Sequence, residues 1–146
     1  MRHLGTIVLL AAAVQGCSEP DMPLAIGVWG VEVMNGLTMP APTNTGHILR
    51  YGVLRLAEDQ NGSVEYCTSL PARGNTIPFR WRFLDQTRLE FNYFNTTRSQ
   101  PQADTATVAG QSMNYRPKIL EPEIGASGWR LRLTGLEPGE VTYSCL

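Results

Sequence analysis

The stretch Phe79-Arg80-Trp81-Arg82-Phe83-Leu84-Asp85-Gln86-Thr87-Arg88-Leu89-Glu90-Phe91-Asn92-Tyr93 decides the fold class. Phe79, Trp81 and Phe83 alternate with Arg80 and Arg82, and Leu89, Phe91 and Tyr93 alternate with Glu90 and Asn92. A period of two is that of a strand with one face on a core, and aromatic side chains suit such a half-buried pleated surface. Polar turn residues separate the runs, so they read as a hairpin. Opposite residues in a hairpin share a face, which tests the register. A turn at Asp85-Gln86 sets Trp81 against Glu90 and Phe83 against Arg88, mixing the faces. A connection of Asp85-Gln86-Thr87 sets Phe83 against Leu89, Trp81 against Phe91 and Phe79 against Tyr93, with Arg82 against Glu90 behind. The second register is the expected one.

Working outward, two more hairpins satisfy the same face-matching. One sets Leu56 opposite Val64, Leu54 opposite Tyr66 and Arg55 opposite Glu65, turning around Asp59 to Asn61. The other sets Leu133 opposite Val141, Leu131 opposite Tyr143 and Trp129 opposite Cys145, turning at Gly135-Leu136-Glu137-Pro138-Gly139. A first strand around Gly27 to Met34 and weaker ones near Ala103 to Val108 and Ser112 to Ile119 complete the set. No long stretch has helical apolar spacing. The chain is therefore expected to be all-β, a single antiparallel meander of about seven to nine strands, closed as a small barrel or folded as a sandwich.

The N-terminus has a different character. Arg2 and His3 precede an apolar run, Leu4 to Val14, which has the length of a signal-peptide core and falls short of the ~20 residues that span a bilayer. It ends in Val14-Gln15-Gly16-Cys17, which resembles the lipobox of bacterial lipoproteins. The resemblance implies cleavage before Cys17, acylation of that cysteine, and attachment to the cell-envelope membrane. Ser18 after the cysteine implies sorting to the outer membrane, with the domain facing the periplasm. More than one acyl chain makes such attachment stable, since each buried methylene contributes about 0.8 kcal/mol. The expected organisation is a signal peptide over 1–16, a lipidated tether over 17–26 broken by Pro20 and Pro23, and a β-rich domain over 27–146. The prolines deny helix formation, so the tether reaches at most ~30 Å.

Cysteine count agrees with the lipid reading. Three cysteines leave one over in an exported chain. Assigning Cys17 to lipid leaves Cys67 and Cys145, whose bridge would close a loop of nearly 80 residues. That bridge makes a geometric demand. Cys67 shares a face with Glu65 and Cys145 shares one with Trp129, so the last hairpin admits it only with a bulge, a strand end or a bend near Pro71.

Gly27-Val28-Trp29 at the start of the first strand is similar to the Gly-x-Trp of lipocalins and wider calycin barrels. Together with the anchor it resembles bacterial lipocalin-type lipoproteins, which implies a cup for a small apolar ligand.

Charge and motifs narrow the function by exclusion. The precursor has 12 basic and 13 acidic residues, and losing residues 1–16 removes Arg2 alone, leaving 11 against 13. The arginines are spread along the strands rather than gathered in a basic run, which reads as a solvated outer face and excludes nucleic acid as the expected partner. His47 is the one histidine left after processing, without a metal-ligand neighbour at short spacing, and neither a nucleophile elbow nor a phosphate loop appears. Met34 and Met39 suit a core better than a metal, and nothing places two of Asp104, Glu121 and Glu123 in one cleft. No cofactor, metal or catalytic activity is expected. Asn95 to Gln102 and then Arg116 to Gly128 read as exposed loops open to binding. The expected function is non-catalytic binding of a protein or envelope component, with the apolar-ligand carrier as alternative and an envelope enzyme ranked below both.

Overall fold

The computed structural model describes residues 25–69, 72–94, 103–125, 128–140 and 145. Among these residues ten strands form one antiparallel sheet: β1 (Gly27–Met34), β2 (Leu37–Thr38), β3 (Ala41–Pro42), β4 (Ile48–Leu56), β5 (Asn61–Ser69), β6 (Ala72–Phe83), β7 (Arg88–Tyr93), β8 (Ala103–Ala109), β9 (Ser112–Tyr115) and β10 (Trp129–Leu133). Strands β4 to β10 pair in sequence order, and β1 pairs with both β10 and β4. The sheet thus closes into an eight-stranded up-and-down barrel, and β2 and β3 are short additions in the β1–β4 connection. Of the two expected architectures the barrel is the one formed. Closure removes the unpaired edges that an open sheet leaves exposed.

The β6–β7 register is as expected. Phe79 faces Tyr93, Trp81 faces Phe91 and Phe83 faces Leu89, with Arg82 opposite Glu90. Asp85 caps the connection, its Oδ1 accepting from the N–H groups of Thr87 and Arg88.

The β4–β5 hairpin corrects its expectation. Leu54 faces Val64, Arg55 faces Ser63 and Leu56 faces Gly62, a slip of two residues. A slip of two keeps each side chain on its face, so face-matching cannot detect it; the turn decides. Gln60 takes a left-handed φ of 65° and the Ala57 N–H donates to Asn61 O at 2.9 Å, closing the three-residue loop 58–60. Arg55 and Glu65 still meet, now diagonally, with Nε to Oε1 at 2.7 Å.

The third expected hairpin does not form. Both edges of β10 are taken, one by β1 and the other by β9, so residues beyond Leu133 have no place beside it. Residues 141–144 lie outside the described residues. After β10 the chain instead leaves the barrel wall. Thr134 donates its N–H and its hydroxyl to Val28 O, and Arg55 Nη1 donates to Pro138 O at 3.1 Å and also to Glu140 O.

Inward residues fill the barrel. Trp29, Leu54, Phe79, Phe91, Met113, Trp129 and Leu131 are buried within one cluster. Phe79, Phe91, Tyr115 and Trp129 are chained by tilted and edge-to-face ring contacts with centroids 4.9–6.0 Å apart. The packing leaves no room at Gly52, where an added Cβ would lie 2.8 Å from Val31 Cγ2.

The two ends differ. One is closed by the short connections 57–60, 84–87 and 110–111, and the chain enters there through Ala25. Ala25 is buried and its carbonyl accepts from Trp29 Nε1 at 2.8 Å. Ala25 and Ile26 therefore pack with the barrel, so the packed part includes the last two residues of the expected tether. The other end is covered by the β1–β4 connection and by a segment after β9. The strand expected to reach Ile119 stops at Tyr115, because Pro117 cannot donate to a ladder. A 3₁₀ turn, Lys118–Leu120, and a one-turn helix α1, Glu121–Ile124, follow, with Leu120 and Ile124 buried in the core. Far from being an exposed loop, this part of Arg116 to Gly128 is a cap seated in the barrel mouth.

Candidate functional site

Cys17 lies outside the described residues, as do 95–102, the first candidate binding loop. The structure joins Cys67 and Cys145 in a disulfide, with Cα atoms 5.6 Å apart. The conflict of faces disappears because Cys145 is not on a strand beside β10; it reaches Cys67 from outside the barrel. Thr134–Glu140 and Cys145 are thus points along a strap over the outer face of β1, β4 and β5. Val28, Val53 and Cys67 on that face are fully buried although they stand apart from the interior cluster.

Under the cap lies a polar cluster that sequence pattern did not reveal. Asp104, 2% exposed, points inward from β8. It accepts from the Tyr93 hydroxyl at 2.8 Å and from the backbone N–H groups of Lys118 and Ile119. Tyr93 and Tyr115 hydroxyls are hydrogen-bonded to each other. Burial raises the Asp104 carboxyl above its ordinary range, against the lowering effect of Tyr93, the two N–H groups and Lys118. Burial likewise pushes both phenols up. Through these bonds the cluster anchors the cap to the wall. The hint in the sequence was Asp104 at an inward position of an alternating run, but its partners come from β7, β9 and the cap.

The remaining candidates separate. Glu121 pairs with Arg116 outside the barrel, Nη2 to Oε1 at 2.9 Å, so it does not share a cleft with Asp104. Met34 is fully buried and Met39 packs against the core. His47 sits in the β3–β4 turn, where its carbonyl accepts from the Thr43 N–H at 2.7 Å. Among the described residues no three His, Cys, Asp or Glu side chains gather as a metal site would need.

Among the described residues the outer wall carries two broad grooves. A groove of about 500 Å³ crosses β7, β8, β9, β10 and β1. Pairing places Arg88 opposite Thr107, Thr107 opposite Asn114 and Asn114 opposite Arg130, so these four form one row across four strands. Thr105 and Arg116 add a second row beside it, and Val33 and Gly36 close the β1 end. A second groove, about 670 Å³, runs between the strap and the outer face of β4–β6, bounded by Tyr51, Arg55, Glu65 and Pro138. The arginines were individually legible as outward-facing, but their alignment depends on four strand registers at once.

Compared with known proteins, the chain matches no family model, no curated protein and no solved structure.

Proposed function

We propose that this chain is a lipid-anchored protein of the bacterial cell envelope, held by acyl chains on Cys17, whose barrel binds a protein or another envelope component without catalysing a reaction. One observation carries the binding part of the reading. Among the described residues, Trp29, Leu54, Phe79, Phe91 and Trp129 take up interior space, while two grooves lie on the outer wall. A carrier of a small apolar ligand needs a continuous apolar cavity open at one end, and a barrel packed to the point where Gly52 has no space for a methyl group favours the outer surface instead. Anchorage is supported by the Val14-Gln15-Gly16-Cys17 motif and the apolar run before it. The reading places the barrel in the periplasm at the outer membrane.

Intact-mass analysis of the protein purified from membranes, with co-purifying species identified, tests both parts. Acyl mass on a chain beginning at Cys17, and its loss with an uncut precursor in Cys17→Ala, is the expected result. A mature chain starting elsewhere would remove the anchor, and an apolar small molecule bound in place of an envelope partner would return the carrier.

A further inference from the structure

Resting on the envelope-binding reading and deepening it, we propose that the groove across β7–β10 is a binding site for an anionic sugar chain whose repeating units carry carboxylates. Three arginines, Arg88, Arg116 and Arg130, stand around it, and none of its lining residues is acidic. The acidic residues nearby, Asp85, Glu121 and Glu90 opposite Thr105, stand at its margin rather than in its lining. Arg130 has no carboxylate partner among the described residues. Arg88 and Arg116 pair with Asp85 and Glu121, but their side chains remain 57% and 56% exposed, and such surface pairs hold an arginine weakly. Each guanidinium keeps N–H donors free to fork onto a carboxylate.

The floor sets the rest of the ligand's chemistry. Between the arginines lie Thr105, Thr107 and Asn114, all exposed, which offer two hydroxyls and an amide at the height of the sheet. Each can both donate to and accept from a hydroxyl-bearing ligand. Arg88 and Arg130 are three interstrand spacings apart, roughly 14 Å. An extended chain with charges at intervals and hydroxyls between them matches the row.

The test is titration calorimetry of the full chain in detergent with oligogalacturonate and with dextran of equal length. Oligogalacturonate binding that weakens between low and physiological salt, with no dextran binding, is expected. Arg130→Ala should weaken it about tenfold, the loss of one charge-assisted pair. Thr107→Glu, which puts a carboxylate on the floor and removes no arginine, should abolish it. Arg50→Ala, an exposed arginine outside the groove, should leave affinity within about twofold, since it makes no groove contact. Equal binding of dextran, no binding of either sugar, retained binding in Thr107→Glu, or an equal loss in Arg50→Ala would overturn the site. Co-purification from membranes separates this from the broader reading. A partner retained by the Thr107→Glu protein would leave envelope binding standing while the groove is refuted, and a wild-type protein that binds the uronate in the calorimeter but recovers no membrane component would do the reverse.

Discussion

At single residues, the two aspartates Asp104 and Asp85 respond to acid in opposite directions. Burial raises the Asp104 carboxyl in the folded state, so folding favours its protonated form, and its contribution to stability is present below the unfolded pKa and lost as pH rises through the folded one. Asp85 is lowered from 3.8 to about 2, by the Thr87 N–H first and then Arg88, so its contribution is present above the unfolded value and lost as pH falls toward 2. Urea unfolding of wild type and each Asn variant at several pH values checks both. The stability of wild type relative to Asp104→Asn should decline as pH rises above about 4, and relative to Asp85→Asn it should decline as pH falls below about 4. Glycine supplies a prediction of packing. A Cβ at Gly62 would meet the Phe79 ring and lie 2.7 Å from Arg55 O, so Gly62→Ala should cost about 1–3 kcal/mol by overpacking, read from the urea midpoint. Phe79 was legible in sequence as a core residue, but that it lies on Gly62 follows from the β5–β6 register, which sets the two directly opposite, just as the β4–β5 register sets Leu56 against Gly62. Alternation specifies a face and is blind to displacement by a whole period. The Phe79–Tyr93 register was readable because its competitor was a one-residue slip that mixes arginine with aromatic positions.

Among the elements, the strap and the cap do what the expected strands were meant to do. The alternation of Leu131, Leu133, Val141 and Tyr143 is compatible with a hairpin, yet β10 is consumed by barrel closure, and closure joins residues about a hundred positions apart. Local pattern carries no record of that choice. Thr134 to Glu140 and Cys145 stand instead over the outer wall, where Cys145 meets Cys67. In the loop-entropy account, a bridge with a sequence separation of 78 constrains the unfolded chain by about 4 kcal/mol. Cys145→Ser should therefore lower stability by a few kcal/mol, and reductant should shift wild type toward the variant while leaving the variant unchanged. The cap gives an independent expectation. Leu120 is buried in the interior cluster from a segment too short to be stable alone. Leu120→Ala should cost about 2–5 kcal/mol, and fast amide exchange at Lys118 and Ile119, whose N–H groups bond Asp104, should mark the loosened mouth. Loss of stability without faster exchange there would mean that Leu120 acts elsewhere in the core.

For the whole molecule, an eight-stranded meander has a direction. Chain entry at Ala25 and the three tight connections share one end, whereas the cap and the β1–β4 connection with exposed Leu37 occupy the other. If Cys17 carries lipid as proposed, only residues 18–24 separate it from the packed Ala25, a span of roughly 25 Å when fully extended. The tight-turn end then faces the membrane and the capped end faces away, with the arginine groove on the flank, open to a polymer lying alongside. Leu84, in the turn between β6 and β7, and Leu37 are both exposed and mark the two ends. They are separated by the length of tilted strands, on the order of 20 Å. Spin labels on Leu84→Cys and Leu37→Cys, read in vesicles bearing a lipid-attached nickel chelate, translate that geometry into a measurement. Leu84 should be strongly broadened and Leu37 weakly, and Cys17→Ala should abolish both effects by leaving the barrel in solution. Equal broadening at the two positions would mean that the tether does not orient the barrel, and the groove would then meet its ligand without guidance from the membrane.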